Sequence, residues 1–235
     1  MKHPVMVAID TAERERAETL IHALGNPQDT TLKIGMELYD CYGPELVREW
    51  VAAGYTIFLD LKLHDIPNTV YRTAKQLAKL GISYTTIHAL GGNVMMEAAK
   101  AGLIAGTPLN HPVPQLLAVT ELTSMSADSL AHEQNCRLPM AEQVLQLAKL
   151  AQSTGADGVI CSALEVATLK AALGLDFLYV TPGIRPAGHA QDDQNRTATP
   201  AAAKAAGSSA IVVGRPITLA SNPRAAYDAI KKEFN

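Results

Sequence analysis

A (β/α)8 barrel, built as one α/β domain over residues 1–235, is the fold class this sequence predicts, and three observations predict it. Short apolar runs rich in Val, Ile, Leu and Thr recur eight times, segments with helical spacing lie between them, and glycines punctuate the alternation at regular places. A length of 235 residues suits one α/β barrel and its large core.

The strand candidates are VMVAID, TLKIG, TIFLDLKL, YTTIHAL, PQLLAVTEL, DGVICS, DFLYVTPG and AIVVGRPI. Their near-continuous apolar character fits a parallel sheet covered by helices on its faces. Between them, Val70, Ala74, Leu77 and Ala78, and again Val144, Leu147, Ala148 and Ala151, each make one apolar helical stripe. Gly54, Gly81, Gly155, Gly174 and Gly207 each fall a few residues before a strand, where a left-handed helix cap belongs. Helix starts are marked by Ser162 to Glu165, a capping box, by Asn222-Pro223 and by Gly43-Pro44. The polar stretch from Ser124 to Pro139 predicts a small extra helical element after the fifth strand. A doubly wound open sheet is the competing architecture, but the first βα turn lacks GxGxxG.

Charge and composition narrow the function. A formal net charge of -3 with scattered lysines and arginines provides no basic field for a nucleic acid backbone. No apolar run approaches the roughly 20 residues needed to span a bilayer, and the N-terminus lacks a signal-peptide core, so a cytoplasmic enzyme is expected. Cys41, Cys136 and Cys161 are far apart and without zinc-ligand spacing, which predicts reduced structural thiols and no metal site.

In a parallel barrel the ligand sits at the C-terminal ends of the strands. This sequence places Asp10 at the end of the first strand, Lys33 in the second, Asp60 and Lys62 in the third, and Thr120 and Thr123 after the fifth. Arg185 follows the seventh, and Gly214-Arg215 ends the eighth. Residues 60 and 62 are two apart and project from one strand face, with Leu59, Leu61 and Leu63 on the other. Buried charges must be paired, so Asp60 and Lys62 need each other, Lys33 or a ligand. An internal salt bridge without chemistry would also satisfy them. Asp65 and Asp10 each stand before a helix, where a capping role is the plainer alternative. Gly214 lets backbone approach an anion and Arg215 offers a planar fork of donors, a combination suited to a phosphate. The long polar loop TPGIRPAGHAQDDQNRT suits a lid, although a solvated surface loop has the same composition. His88, at the end of the fourth strand, either lines the site or is a satisfied structural histidine.

Asp60-Leu-Lys62-Leu-His-Asp65-Ile66, read with VAID at Asp10, LKIG at Lys33, Pro67-Asn68-Thr69, ELTS at Thr123, TPGIRP at Arg185, DDQNR at Gln194 and VVGRPI at Gly214-Arg215, resembles the orotidine 5′-phosphate decarboxylase family over nearly the whole chain. The resemblance implies cofactor-free loss of CO2 from orotidine 5′-monophosphate to give UMP. It makes Lys62 the acid that protonates C6 of the pyrimidine, with Lys33, Asp60 and Asp65 completing an alternating charge network. It assigns the ribose hydroxyls to Asp10 and Lys33, the pyrimidine amide edge to Thr123, and a bridge between base and phosphate to Gln194. Arg185 goes to the closing loop, Gly214 and Arg215 to the phosphate, and Ile66 and Thr69 to the substrate-binding set. It further implies a homodimer in which Asp65 and Thr69 come from the second subunit.

Two other functions share the fold. Magnesium-dependent sugar-phosphate decarboxylases and aldolases of the same superfamily share DxKxxD but call for an acidic ligand where this chain has Lys33, and a lysine there repels the cation. A catalytically silent phosphometabolite-binding barrel is the second, and the intact Asp60, Lys62 and Asp65 set argues against it.

Overall fold

The computed structural model describes residues 3–188 and 196–235. Eight parallel strands close into a barrel in sequence order: β1 (Val5–Ile9), β2 (Thr31–Gly35), β3 (Thr56–Leu63), β4 (Tyr84–His88), β5 (Gln115–Val119), β6 (Gly158–Ile160), β7 (Leu178–Thr181) and β8 (Ala210–Val213). β1 pairs with both β2 and β8, which leaves no sheet edge. The eight apolar runs are therefore the eight strands, and the open-sheet alternative is excluded.

Ten helices wrap the barrel among the described residues: α1 (Arg14–Ala23), α2 (Met36–Ala52), α3 (Pro67–Leu77), α4 (Asn93–Gly106), α5 (Ala127–His132), α6 (Met140–Ser153), α7 (Val166–Leu173), α8 (Pro200–Ala206), α9 (Arg215–Thr218) and α10 (Pro223–Phe234). α5 is the extra element expected between Ser124 and Pro139. α2 is two helices fused across Gly43 (φ 65°, ψ -159°), with Pro44 opening the second. Asn222 caps α10, its side chain accepting from Ala225 N at 3.0 Å. All five punctuating glycines have positive φ, but Gly174, with φ 90° and ψ -172°, falls outside the left-handed helical region that the punctuation predicts. The capping box before α7 forms by half. Glu165 Oε2 accepts from Ser162 N at 2.8 Å, while Ser162 Oγ accepts from Leu164 N at 3.3 Å and the helix begins only at Val166.

Period-two alternation divides the core into two shells. Val5, Val7 and Ile9 point outward with Leu32, Ile34, Ile57 and Leu59 into the layer beneath the helices. Met6, Ala8, Phe58, Leu117, Val180, Ala210 and Val212 fill the barrel itself. The inward rows Met6-Ala8 and Phe58 lead, two residues further on, to Asp10 and Asp60. Apolar packing at the bottom thus gives way to charge at the top of the same rows.

α3 and α4 pack closely through two glycines. A Cβ added at Gly106 would lie 2.1 Å from the Lys75 carbonyl oxygen, and one at Gly102 would lie 2.4 Å from that of Tyr71. No helix among the described residues is long and apolar enough to cross a membrane. Cys41, Cys136 and Cys161 are unpaired, and burial pushes the Cys161 thiol well above its ordinary range, which removes it as a nucleophile.

Candidate active site

A cavity of about 500 Å³ opens at the C-terminal ends of the strands. Asp10, Lys33, Asp60, Lys62, Thr123, Arg185, Gly214 and Arg215, chosen from the sequence, all line it. They come from six different strands or strand-end loops, so only barrel closure brings them together.

Asp60 is the hub. Its Oδ2 accepts from Lys62 Nζ at 2.9 Å and lies 3.7 Å from Lys33 Nζ, while Thr86 Oγ1 donates to its Oδ1 at 2.8 Å. Lys33 Nζ also donates to Asp10 Oδ1 at 3.1 Å. The result is a row of alternating sign, Asp10, Lys33, Asp60, Lys62, across the cavity floor. Burial alone would push the Asp60 carboxyl up, but Lys33, Lys62 and the Thr86 hydroxyl outweigh it and hold it below the usual carboxylate range. Gly35 keeps this row open, since a Cβ there would come within 3.2 Å of Lys33 Nζ.

Lys62 reaches this position through an unusual backbone. The alternation that predicts residues 60 and 62 on one face assumes a regular strand, yet Lys62 has φ 50°, and the β3 to β4 register shifts between Leu59 and Leu63. Its backbone N–H leaves the ladder and donates to Thr86 Oγ1 at 2.8 Å. A non-glycine residue in the left-handed region is strained, and such strain collects where a side chain must be aimed.

Asp65, Ile66 and Thr69 do not line the main cavity. Asp65 and Thr69 border a separate hollow of about 330 Å³, which Lys62 also lines. Asp65 Oδ1 accepts from Ile66 N at 2.6 Å, and Ile66 is 66% exposed. Asp65 is not the cap residue of α3, a position that Ile66 holds without a side-chain cap bond, although it stands next to the N-terminus of that helix. Asp10 does not cap α1 either, where the cap residue is Glu13. Arg185 is buried, with Nη1 donating to the Ile184 carbonyl at 3.1 Å. Gly214 and Arg215 open the one-turn helix α9 at the rim. Gln194 lies outside the described residues.

Thr86 and the pairing of Arg196 escape sequence reasoning, and His88 answers to neither of the two readings its position suggests. Thr86 both steers the Lys62 backbone and bonds Asp60; a polar side chain in the middle of β4 is the signal that points to it. His88 faces His64 with ring centroids 5.5 Å apart, and its Nδ1 is buried with no partner among the described residues. Burial, followed by His64 and Lys62, pushes the His88 pKa down against the pull of Asp60. Arg196 and Glu165 form a half-buried ion pair beside the loop after β5, and nothing local in the sequence marks their pairing. Among the described residues no group of three or more His, Cys, Asp or Glu side chains is placed to hold a metal ion.

Residues 3–230 match the model of the orotidine 5′-phosphate decarboxylase / HUMPS family. The chain is 65% identical to the orotidine 5′-phosphate decarboxylase of Lactobacillus acidophilus, with both sequences fully covered, and 46% identical to that of Enterococcus faecalis, covering 98% and 97% of the two. The crystal structure of the L. acidophilus enzyme superposes with a TM-score of 0.91 at 62% identity over 99% of each chain. The Pyrococcus horikoshii enzyme, at 24% identity, a TM-score of 0.76 and 98% coverage of each chain, shares the fold. A full-length match of this identity, joined to a charge row in the mouth of a closed barrel, means that this chain belongs to the orotidine 5′-phosphate decarboxylase / HUMPS family.

Proposed function

We propose that this chain is an orotidine 5′-phosphate decarboxylase, converting orotidine 5′-monophosphate to UMP and CO2 in pyrimidine biosynthesis, with the whole of residues 1–235 acting as one catalytic domain. The observation that carries this reading is the Asp10, Lys33, Asp60, Lys62 row, in which one buried carboxylate oxygen serves both ammonium groups.

The chemistry follows from that row. Breaking the bond between C6 and the carboxylate leaves an electron pair in the ring plane, where no carbonyl delocalises it. A fixed positive charge next to C6 is the direct remedy, and it is strongest in a pocket whose dipoles are already in place. Lys62 supplies that charge, and as CO2 leaves its ammonium gives a proton to C6. UMP is formed, and the neutral amine regains its proton from solvent. Asp60, bonded to Lys62 Nζ and fixed from behind by Thr86, keeps the ammonium from swinging away.

The rest of the cavity orients the nucleotide. Asp10 and Lys33 take ribose hydroxyls, and Thr123 takes the amide edge of the pyrimidine. Gln194 bridges base and phosphate. Gly214 and Arg215 hold the phosphate, and Arg185 belongs to the loop that closes over it. The phosphate is remote from the bond that breaks, so its binding energy can drive that closure.

The enzyme acts as a cytoplasmic homodimer. Support for shared sites comes from Asp65 and Thr69, which are exposed and do not line the main cavity of their own subunit. Ile66 and Leu90, in the segments after β3 and β4, and Val94, in the first turn of α4, are large exposed apolar side chains suited to a subunit interface. The magnesium-dependent alternative is disfavoured because Lys33 Nζ already stands between the Asp10 and Asp60 carboxylates, where a second cation would be repelled.

The test is the ultraviolet change of orotidine 5′-monophosphate with purified protein in excess EDTA. Turnover in chelator that falls by at least about 10⁴-fold in Lys62→Ala supports the reading. Turnover of a sugar phosphate only with magnesium, nucleotide binding without turnover, or near-normal turnover by Lys62→Ala refutes it.

A further inference from the structure

Two cavity walls, the segment after β5 and the stem of the loop after β7, have no strand in common, yet one side chain joins them. Arg196 Nη2 donates to the backbone carbonyls of Glu121 at 3.0 Å and Leu122 at 2.9 Å, and Nη1 donates to Glu165 Oε1. Leu122 immediately precedes Thr123, and both line the cavity. Two residues beyond Arg196, Ala198 pins the stem of the β7 loop. Arg185 N donates to Ala198 O at 2.9 Å, and Ala198 N donates to Gly183 O at 3.2 Å.

We propose that Arg196 is a positioning residue for ligand binding, which sets the place of Thr123 relative to Arg185 by clamping the Glu121–Leu122 backbone to the stem of the β7 loop. The proposal rests on the nucleotide reading given above.

Geometry and burial both favour a built clamp over a chance surface contact. The Arg196 and Glu165 side chains are 13% and 10% exposed, so their charges are withdrawn from water and need each other. Glu165 is itself fixed, because its second oxygen accepts from Ser162 N at 2.8 Å. The far side of the clamped segment is held as well. The buried Glu121 carboxylate accepts from Gln134 Nε2 and Gln143 Nε2, each at 3.3 Å, tying it to the segments around α5 and α6. Burial pushes the Glu165 carboxyl up, and Arg196 is the largest influence pulling it down.

A guanidinium is needed for this task. Its planar fork bonds two consecutive carbonyls and a carboxylate at once, whereas a lysine ammonium can keep the charge pair but cannot span all three in one plane. Arg196→Lys therefore separates positioning from folding. A shift of about 1 Å in a ligand-holding wall is enough to weaken function by about 10²-fold.

The experiment compares full-length wild type, Arg196→Lys, Arg196→Ala, Thr123→Ala and the Arg196→Lys/Thr123→Ala double variant. Thermal unfolding, UMP Kd, and KM and kcat for orotidine 5′-monophosphate are measured for each. Arg196→Lys is expected to unfold cooperatively near the wild-type temperature, while its KM and UMP Kd rise about 10- to 100-fold and kcat changes less. Thr123→Ala should weaken UMP binding less in the Arg196→Lys background than alone, because the clamp acts through that residue. Arg196→Lys with wild-type KM and Kd, or strictly additive effects in the double variant, overturns the proposal. Should Arg196→Ala fail to fold, the lysine variant still decides. A wild-type protein that does not turn over orotidine 5′-monophosphate sinks the functional reading instead, which is a separate result.

Discussion

Replacing Asp60 by asparagine keeps the shape of the side chain and removes the charge that two ammonium groups share. At an effective dielectric constant of about 20, the contact with Lys62 at 2.9 Å corresponds to about 6 kcal/mol and that with Lys33 at 3.7 Å to about 4 kcal/mol of Coulomb attraction. Most of this is offset, because holding three charges away from water costs several kcal/mol for each. Asparagine can still accept from Thr86, so the net loss falls at the lower end of the range for breaking a buried pair, about 3 kcal/mol. For a chain of this size that lowers Tm by about 6–12 °C at fixed protein concentration, measured by circular dichroism or calorimetry. The control is Asp228→Asn. Its bond to Arg224 is shorter, 2.7 Å, but both side chains are 50% exposed, and Tm should move by less than about 2 °C. A drop of under about 2 °C in Asp60→Asn, or equal drops in the two variants, would show that the charge row does not hold together as described.

Three further outcomes follow from the same geometry. Mixing an inactive Asp65→Ala protein with an inactive Lys62→Ala protein should recover part of the activity if sites are shared, and no recovery in proven heterodimers counts against sharing. Asp60 and His88 both have lowered pKa values, so the unfolded chain takes up protons that the folded chain refuses. Their contribution to stability is therefore complete above about pH 6.5, begins to fall below it through His88, and falls further below about pH 4 through Asp60. Urea unfolding across that range checks this, and His88→Gln should flatten the upper part of the slope. Gly106→Ala drives a methyl group into the Lys75 carbonyl and should cost about 1–3 kcal/mol while leaving kcat nearly unchanged, because the contact lies between α3 and α4 and outside the cavity.

The strands and their order are legible in the sequence because each is a short, nearly continuous apolar run, as a parallel sheet covered on both faces requires, and because eight such units without GxGxxG in the first turn favour closure into a barrel. Asp10, Lys33, Asp60 and Lys62 are legible because a charge at the top of an inward row is costly without a partner. What the pattern hides is three-dimensional. Period-two alternation assumes a regular strand, so the break at Lys62, where Thr86 takes over a backbone bond, leaves no local trace. Asp65, Ile66 and Thr69 carry the right letters in the motif, but the direction of the chain after β3 turns them away from their own cavity. Arg196 meets partners 31, 74 and 75 residues away, a distance at which no window of sequence reports a contact.

The left-handed backbone at Lys62 has a consequence beyond catalysis. Glycine or asparagine would occupy this position with less internal tension than lysine does. Selection for a sturdy barrel alone would therefore let the ammonium go, and descendants freed from the need to make pyrimidine nucleotides would drift toward a harder, silent shell. The working residue sits where thermodynamics and usefulness pull in opposite directions, so its persistence in a lineage is a record of a job still being done.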